Sequence, residues 1–373
     1  MGGATSMNDQ VMSPGPWLQV EISAACQAGC IDCVRWVPQG GMQNWQPGTI
    51  VPHHLNGHVP HINTFYDIEH WNHHIKMFRT LKHVNLCGNM GDPMTHPNIV
   101  QVCESTQLHH PGVAISINTN GGIGSVHHYR QLASMGVTVI FGIDGLKDTN
   151  HIYRRAVNWT RLQERVLAFI GSGGRAHWQW IDFPHTQHQL EQARLLSEEL
   201  GFEKFVVQSR WSPESEIDQA IVDHHTQAVD LKTKHTEVEP TREEMEQQHL
   251  DYIGHMIDSG TKIYPQCANT DNNLSSYHPE INLTADGRLW PCCFMSDIEY
   301  HKLSHVRHWW KKHTKGMPAN WNSLYHHTPD QIINSEWWQN VLPSSWDTSN
   351  PVNTNPICMS VCGACNESTF ARR

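Results

Sequence analysis

The sequence predicts an α/β protein: a parallel sheet covered by helices, either a doubly wound sheet or a partial barrel, followed by a smaller cysteine-rich domain. Two observations support this fold class. Between residues 17 and about 210, six short β-rich runs alternate with amphipathic stretches, and the runs are apolar in the manner of strands in a parallel sheet. From about residue 260 the sequence becomes rich in turns and tryptophans and contains six of the eleven cysteines.

The predicted strands alternate with helical patterns. Leu162–Ile170 and Leu190–Leu200 carry apolar residues at helical spacing. Gly173, Gly174 and Gly201 fall where these helices should end, because glycine readily adopts the backbone conformation found at helix C-termini. The predicted strands are Trp17–Ser23, Lys82–Leu86, Val113–Asn118, Val137–Ile143, Ala176–Phe183 and Lys204–Gln208.

By composition, the chain divides into four predicted parts. Residues 1–16 form an N-terminal tail, residues 17–212 the α/β domain, residues 213–259 an acidic, helix-prone connector, and residues 260–373 the cysteine-rich domain. Within the α/β domain, residues 37–65 are rich in Pro, Gly, Asn and His, which predicts an inserted loop.

Composition argues against several classes of function. The 373 residues carry a formal net charge of −10, from 36 acidic and 26 basic residues, which argues against a nucleic-acid partner bound through a basic face. No apolar run approaches the roughly 18 residues that span a membrane, and no secretory signal is recognisable, so we expect a cytoplasmic protein without a membrane partner. In a reducing compartment, clustered cysteines are more often metal ligands than disulfides.

Three cysteines follow the first predicted strand directly: Cys26, Cys30 and Cys33. Loops at the carboxyl ends of parallel strands build the active sites of such folds, so three thiolates in this loop can converge on one point. Three ligands on a 4Fe–4S cluster leave one iron open for another molecule, whereas a structural zinc ion needs four ligands. The alternative is a zinc site with a fourth ligand from elsewhere, for which 29 histidines offer candidates.

The spacing C-x3-C-x2-C after a first strand resembles that of the radical S-adenosylmethionine superfamily. Three further segments resemble motifs of this superfamily, in the same order and each at the end of a predicted strand. Cys87–Pro93 is similar to its Gly-Gly-Glu-Pro motif, and Asn118–Gly121 is similar to its Ser-Thr-Asn-Gly turn. Gly142–Asp148, with Tyr153 and Arg154, is similar to the Ser-Ile-Asp-Gly segment of the peptide-modifying branch.

Two segments depart from the superfamily patterns without removing a cluster ligand. Asp32 stands where an aromatic residue usually precedes the third cysteine. In the Gly-Gly-Glu-Pro-like segment, Asn89 and Met90 are inserted and Asp92 replaces the glutamate. Cys87 is interpreted as a small buried residue that ends the second strand, because a fourth thiolate would close the open iron.

The resemblance implies a partial (β/α)6 barrel and two cofactors, a 4Fe–4S cluster held by Cys26, Cys30 and Cys33, and S-adenosylmethionine. It also implies an electron donor such as flavodoxin or ferredoxin. The methionine ammonium requires a carboxylate or backbone carbonyls, and the ribose hydroxyls require groups that accept and donate hydrogen bonds. The implied cofactor-binding residues are Gly88, Gly91, Asp92, Asn118, Asn120, Asp144 and Arg154.

Substrate contacts are expected at the mouth of this barrel. Gln179, Trp180 and Asp182 end the fifth strand, and the turn Pro184–His185 follows them. Tyr153, Arg154 and Arg155 follow the fourth strand and could bind a carboxylate. The alternative interpretation is that Trp178 and Trp180 belong to the core and Arg155 is a surface charge. The catalytic side chain is unknown.

A second group of cysteines surrounds a predicted hairpin in the C-terminal domain. Asp286 and Gly287 form a strong turn signal between two alternating runs, with Cys267 before the hairpin and Cys292 after it. A zinc ribbon and an iron–sulfur cluster are both compatible with this pattern. Cys293 is interpreted as a packing residue, because adjacent residues on a strand point to opposite faces.

This region resembles the SPASM or twitch extension of radical S-adenosylmethionine enzymes, in which a Gly-x4-Cys segment (Gly287 to Cys292 here) binds an auxiliary 4Fe–4S cluster. The full SPASM pattern needs seven cysteines and six are present, so the shorter one-cluster twitch form fits better. The implied ligands are Cys267, Cys292 and two of Cys358, Cys362 and Cys365.

The leading hypothesis is an oxidoreductase that cleaves S-adenosylmethionine reductively and abstracts hydrogen from a peptide or protein, a post-translational modification. An auxiliary cluster favours net oxidation of the substrate, since it can accept an electron. Two alternatives stay open: a small-molecule dehydrogenase on the same scaffold, and a non-catalytic zinc or iron–sulfur protein for binding or electron transfer.

Overall fold

The computed structural model describes residues 16–30, 33, 51–52, 65–79, 81–88, 90–208, 240–265, 267, 280–296, 298–300 and 303–364. The chain forms two compact units. The first unit is Val20–His235, and the second unit is Thr236–Arg373 together with Met1–Gln19. The finer predicted division into tail, α/β domain, connector and cysteine-rich domain stays a prediction.

Strand β1 (Trp17–Val20) leads into the first unit, whose further strands are β2 (Ala25–Cys26), β3 (Val51–Pro52), β4 (His83–Leu86), β5 (Ala114–Thr119), β6 (Thr138–Gly142), β7 (Arg175–Ile181) and β8 (Lys204–Gln208). Strands β4 to β8 form a parallel sheet in that order, while β2 and β3 pair as a separate antiparallel ribbon. The carbonyl of Val20 accepts a hydrogen bond from the Cys87 amide at 3.1 Å, so the end of β1 lies beside β4.

The order of these strands decides between the two architectures that the sequence left open. A doubly wound sheet reverses its strand order at a switch point, whereas in a barrel each strand lies beside the next one along the chain. Here spatial order follows chain order from β4 to β8. The predicted α/β fold is therefore confirmed, and its topology is that of a partial barrel.

The strands present two different faces. Side chains such as Ile117, Phe141 and Trp178 are buried against the helices. The alternate positions are partly exposed and mostly polar, because successive side chains of a strand point to opposite faces. Parallel pairing places Asn118 opposite Ile140, and Gly142 opposite Gln179, on this second face. The strands are thus apolar on one face only, and the second face is available for a site.

Helices connect the strands of the first unit. Asp67, Ser125 and Asn158 cap α1, α3 and α5 through side-chain oxygens that accept backbone N–H groups. Helix α6 ends at Gly201 with φ of 86°, which agrees with the stop predicted there. The helices are α1 (Ile68–His74), α2 (Ile99–His109), α3 (Val126–Ser134), α4 (Asn150–Tyr153), α5 (Trp159–Gly171) and α6 (Leu190–Leu200).

The second unit contains short strands and further helices. The predicted hairpin is confirmed, since β10 and β11 pair antiparallel with Leu283 opposite Leu289, and Gly287 turns between them with φ of 76°. Trp290 and Trp310, with ring centroids 5.4 Å apart, belong to its buried aromatic core. The elements are α7 (Arg242–Asp258), β9 (Lys262–Ile263), β10 (Glu280–Leu283), β11 (Leu289–Trp290), α8 (Ser304–His313), α9 (Pro329–Ile333), α10 (Leu342–Ser344), α11 (Pro356–Cys362) and β12 (Gly363–Ala364).

Among the described residues, none of the helices combines the length and the apolar character that crossing a membrane requires.

Candidate active site

A cavity opens at the carboxyl ends of the parallel strands of the first unit, where folds of this topology build their active sites. Three cysteines and the ends of β4, β5, β6 and β7 line it together. The residues of its wall are Cys26, Ala28, Cys30, Cys33, Gly88, Gly91, Asp92, Asn118, Thr119, Asn120, Ile140, Gly142, Arg154 and Gln179. The cavity therefore unites the cysteine loop with segments from all three motifs that follow it in the sequence.

The cysteine loop is held by its own backbone and by the turn after β5. The Sγ of Cys26 accepts hydrogen bonds from the amide of Ala28 at 3.4 Å and from Nδ2 of Asn120 at 3.5 Å. The amide of Cys33 donates to the carbonyl of Cys30 at 3.3 Å. Burial raises the pKa of the Cys30 thiol to about 11, although Arg154 opposes this rise. Metal binding here would release protons, because cysteine ligands bind as thiolates.

In the described part of the chain, no three His, Cys, Asp or Glu side chains are arranged to hold a single metal ion.

Two glycines of the segment after β4 allow very close packing of the backbone. A Cβ on Gly91 would lie 2.1 Å from the carbonyl oxygen of Ser23, and a Cβ on Gly88 would lie 2.2 Å from the carbonyl oxygen of Gly91. The Asp92 amide donates to the carbonyl of Ala25 at 2.8 Å. Glycine is thus required at both positions for this segment to pack against the cysteine loop. Asn89 and Asp32, two of the residues at which the chain departs from the superfamily patterns, lie outside the described residues.

Asp92 is 4% exposed, and both of its carboxylate oxygens are bonded to protein groups. Oδ1 accepts from the amide of Met94 at 2.9 Å, Oδ2 from the amide of Asn120 at 2.8 Å, and the Thr119 hydroxyl contacts both. Burial raises the pKa of Asp92, and these hydrogen bonds oppose that rise. Asp92 therefore ties the end of β4 to the end of β5; whether it also contacts a cofactor stays a prediction.

Asn118 and Asn120 differ in their remaining hydrogen-bonding capacity. The Oδ1 of Asn120 accepts from Nε2 of Gln27 at 2.6 Å and from the amide of Gly122 at 2.7 Å, so this side chain fastens the cysteine loop. The Oδ1 of Asn118 is buried and has no hydrogen-bond partner among the described residues. Because buried polar atoms are nearly always bonded, Asn118 offers an acceptor to a molecule in the cavity.

Asp144 and Arg154 form an ion pair at the end of β6. Asp144 is fully buried behind the cavity wall, where Oδ2 accepts from Nε of Arg154 at 2.5 Å and Oδ1 accepts from the Ile181 amide at 2.7 Å. Burial by itself would lower the pKa of Arg154, but Asp144 and Cys30 outweigh it and raise the pKa. Arg154 is therefore a fixed cation that lines the cavity, and Asp144 holds its guanidinium in place from the buried side.

Ala28, Thr119 and Ile140 also line the cavity and were not predicted from the sequence as site residues. Ile140 lies at the position that alternation places on the second face of β6, so the two-residue period of the strand was the available signal. Gln179 lines the cavity as expected, whereas Trp178 and Trp180 are buried in the core.

Five cysteines lie close together in the second unit. The pKa of Cys292 is raised by burial and further by Cys293, Cys267, Cys358 and Cys362, which shows that these thiols share one neighbourhood. Cys293, predicted as a packing residue, thus lies beside the other four. Cys365 lies outside the described residues, so the choice among the three C-terminal cysteines stays a prediction.

The folded chain is similar to solved structures that contain S-adenosylmethionine. One is SuiB from Streptococcus suis bound to S-adenosylmethionine, with 13% sequence identity and a TM-score of 0.45 over 84% of this chain and 67% of that chain. Another is native anSMEcpe with bound AdoMet, with 10% identity and a TM-score of 0.48 over 86% and 81%. A third is BtrN in complex with AdoMet and 2-DOIA, with 10% identity and a TM-score of 0.39 over 92% and 94%.

These three proteins are radical S-adenosylmethionine enzymes, the superfamily that the sequence motifs resemble. All three TM-scores lie below 0.5, so the likeness is distant, and a functional assignment depends on this chain's own residues. No family model matches the chain, and no curated protein sequence matches it.

Proposed function

We propose that the chain is a radical S-adenosylmethionine enzyme that abstracts a hydrogen atom from its substrate. The observation that carries this proposal is the cavity that three cysteines share with the ends of β4, β5 and β6. When bound, a 4Fe–4S cluster on Cys26, Cys30 and Cys33 would supply the electron that cleaves S-adenosylmethionine to a 5′-deoxyadenosyl radical.

The residues of the cavity fit such a group by their chemistry. Three thiols are the complete donor set for a cluster with one open iron. The unpartnered Oδ1 of Asn118 can accept a hydrogen bond from an ammonium or a hydroxyl group. The guanidinium of Arg154 can bind a carboxylate. Glycines 88 and 91 leave backbone groups accessible in the wall.

This chain's own residues would then bind, orient and shield the reactants. The ties that Asp92 and Asn120 make between the cysteine loop and the turn after β5 hold the cavity wall in one arrangement. Cys26 and Cys30 are both buried, so little of their surface is exposed to bulk water. Burial of this kind protects reactive intermediates from side reactions with solvent.

The proposed substrate is a peptide or protein. SuiB and anSMEcpe have also been solved with peptides, the precursor peptide SuiA and the Cp18Cys peptide, respectively. In this chain, amide side chains of Asn85, Asn118 and Gln179 lie on the partly exposed face of the sheet. Amides both donate and accept hydrogen bonds and so complement the peptide groups of a substrate.

The thiols of the second unit are proposed to hold an auxiliary 4Fe–4S cluster, through Cys267, Cys292 and two of the C-terminal cysteines. Their shared neighbourhood and the burial of Cys358 support this assignment. A cluster there could accept an electron, which suits an oxidoreductase whose primary electron comes from a donor such as flavodoxin or ferredoxin.

The test is anaerobic reconstitution with iron and sulfide, reduction with dithionite, and measurement of 5′-deoxyadenosine formed from S-adenosylmethionine. We expect the wild-type protein to form it and Cys30→Ala to form none. Cys103→Ala is the matched control, because Cys103 is buried in α2 and does not line the cavity. Equal yields from the wild-type protein and Cys30→Ala would contradict the proposed function.

A further inference from the structure

The guanidinium of Arg154 is bonded to a buried carboxylate, and Arg154 lines the same cavity as Cys30. Its Nε donates to Oδ2 of Asp144 at 2.5 Å. Asp144 is fully buried, whereas Arg154 and Cys30 line the cavity. Arg154 therefore connects the buried carboxylate of Asp144 to the cavity that a proposed iron ligand, Cys30, also lines.

Several independent contacts hold Asp144 and the cysteine loop close to Arg154. The second oxygen of Asp144 accepts from the Ile181 amide at 2.7 Å, and the Asp144 amide donates to Oδ1 of Asn150 at 3.0 Å. On the cysteine side, the Gly29 amide donates to the carbonyl of Arg155 at 3.2 Å. Both the carboxylate and the cysteine loop are thus anchored to the segment that carries Arg154.

Gly142 provides the space that the guanidinium occupies. A Cβ at this position would lie 2.8 Å from Nη2 of Arg154, closer than side-chain atoms normally approach. Gly142 is the last residue of β6 and also lines the cavity. Even the smallest side chain here would press on the guanidinium, so the glycine and the arginine are coupled.

We infer that Arg154, oriented by Asp144, donates a hydrogen bond to the Cys30 sulfur in the holoenzyme and thereby raises the reduction potential of the S-adenosylmethionine-binding cluster. This inference rests on the proposed function, and it adds the residue that tunes the cluster. Reduction adds negative charge, so a nearby cation and an N–H···S bond stabilise the reduced state more than the oxidised state. A guanidinium suits this task because it stays charged and offers five N–H donors.

The division of roles follows from the geometry. Arg154 is a positioning residue that acts on the cluster through Cys30. Asp144 acts one step farther away, by directing Nε and leaving the remaining N–H groups of the guanidinium for the sulfur and the cavity. Arg154 lines the cavity and Asp144 does not, so the cation is the charge that faces the proposed cluster.

The test is an anaerobic redox titration of the reconstituted protein, followed by electron paramagnetic resonance of the reduced-cluster signal that changes when S-adenosylmethionine is added. We expect Arg154→Gln to shift the midpoint potential of that signal to more negative values. Arg154→Lys should shift it less, because lysine keeps the charge but cannot bond Asp144 and Cys30 with one planar group. Arg161→Gln, an exposed change of the same type on α5, should leave the potential unchanged.

A second variant keeps the inference testable if Arg154→Gln does not retain its cluster. Gly142→Ala leaves Arg154 in the sequence but displaces the guanidinium, so it should also shift the midpoint to more negative values. Potentials equal to wild type in the cluster-bearing Arg154 and Gly142 variants would overturn the inference. Absence of any S-adenosylmethionine-responsive cluster in the wild-type protein would instead refute the proposed function itself.

Discussion

At the scale of single residues, the wall of the cavity depends on Asp92 as an acceptor for groups on two segments. In Asp92→Asn, an NH2 group replaces one carboxylate oxygen. This NH2 group cannot accept a hydrogen bond, so it would face a backbone N–H donor without bonding to it. We expect the free energy of unfolding of the apoprotein to fall by about 1–3 kcal/mol, the cost of leaving a buried polar group unsatisfied. Urea denaturation followed by circular dichroism measures this change.

Glu164→Gln supplies the control for Asp92→Asn, because Glu164 is exposed on α5 and the substitution removes the same charge. Its midpoint in urea should match that of the wild-type protein. If Asp92→Asn also unfolds at the wild-type midpoint, Asp92 does not tie β4 to β5 in the way its hydrogen bonds indicate.

The sequence was sufficient to predict which residues lie together at the site, but not the hydrogen-bond partners of each residue. Gly88, Asn118 and Arg154 were expected at one edge of the sheet because the carboxyl ends of parallel strands meet there. That Asp144 lies behind the wall, bonded to Arg154 and the Ile181 amide, depends on rotamers and on a neighbouring strand. Such details follow from packing in three dimensions, which a linear motif does not encode.

At the scale of elements, helix α1 contains a buried histidine that makes the first unit sensitive to acid. His74 is 2% exposed, and its Nδ1 lies 2.5 Å from the hydroxyl of Tyr66. Burial lowers the pKa of His74 to about 4, with His73 and His70 adding to the effect. Between pH about 6.5 and about 4, His74 is protonated in the unfolded chain but neutral in the folded chain. The free energy of unfolding therefore decreases as the pH falls through this range.

This pH dependence can be tested by thermal unfolding of the apoprotein at pH 7.5 and pH 5. We expect His74→Gln to lose less stability between the two pH values than the wild-type protein, since its side chain does not titrate. His188→Gln, an exposed substitution of the same type, should behave as the wild-type protein does. A loss in His74→Gln as large as that of the wild-type protein would exclude His74 as a source of the acid sensitivity.

Elements with strong local signals could be predicted, and those formed by distant pairing could not. Helix α6 and the hairpin around Gly287 agree with the sequence because glycine marks their ends. The ribbon of Ala25–Cys26 with Val51–Pro52 has only two residues on each strand, and 24 residues of sequence separate the two strands. Its formation depends on tertiary contacts, so periodicity gives no signal for it.

At the scale of the whole molecule, the two groups of cysteines belong to different compact units. Cys26, Cys30 and Cys33 lie in the first unit, and Cys267 and Cys292 lie in the second. The residues that line the cavity around the first group all belong to the first unit, and the thiols that act on Cys292 all belong to the second unit. Two iron–sulfur clusters should therefore assemble independently.

Iron analysis of a triple variant tests this independence. After anaerobic reconstitution, Cys26→Ala/Cys30→Ala/Cys33→Ala should retain about four irons per chain, those of one remaining cluster, while the wild-type protein holds about eight. The reciprocal variant Cys292→Ala/Cys358→Ala should also fall to about four irons and still respond to S-adenosylmethionine. Cys103→Ala should keep the full content, because Cys103 lies in α2, outside both groups. If the iron content of the folded triple variant falls to zero, the second unit holds no separate cluster, because its remaining thiols would then bind no iron.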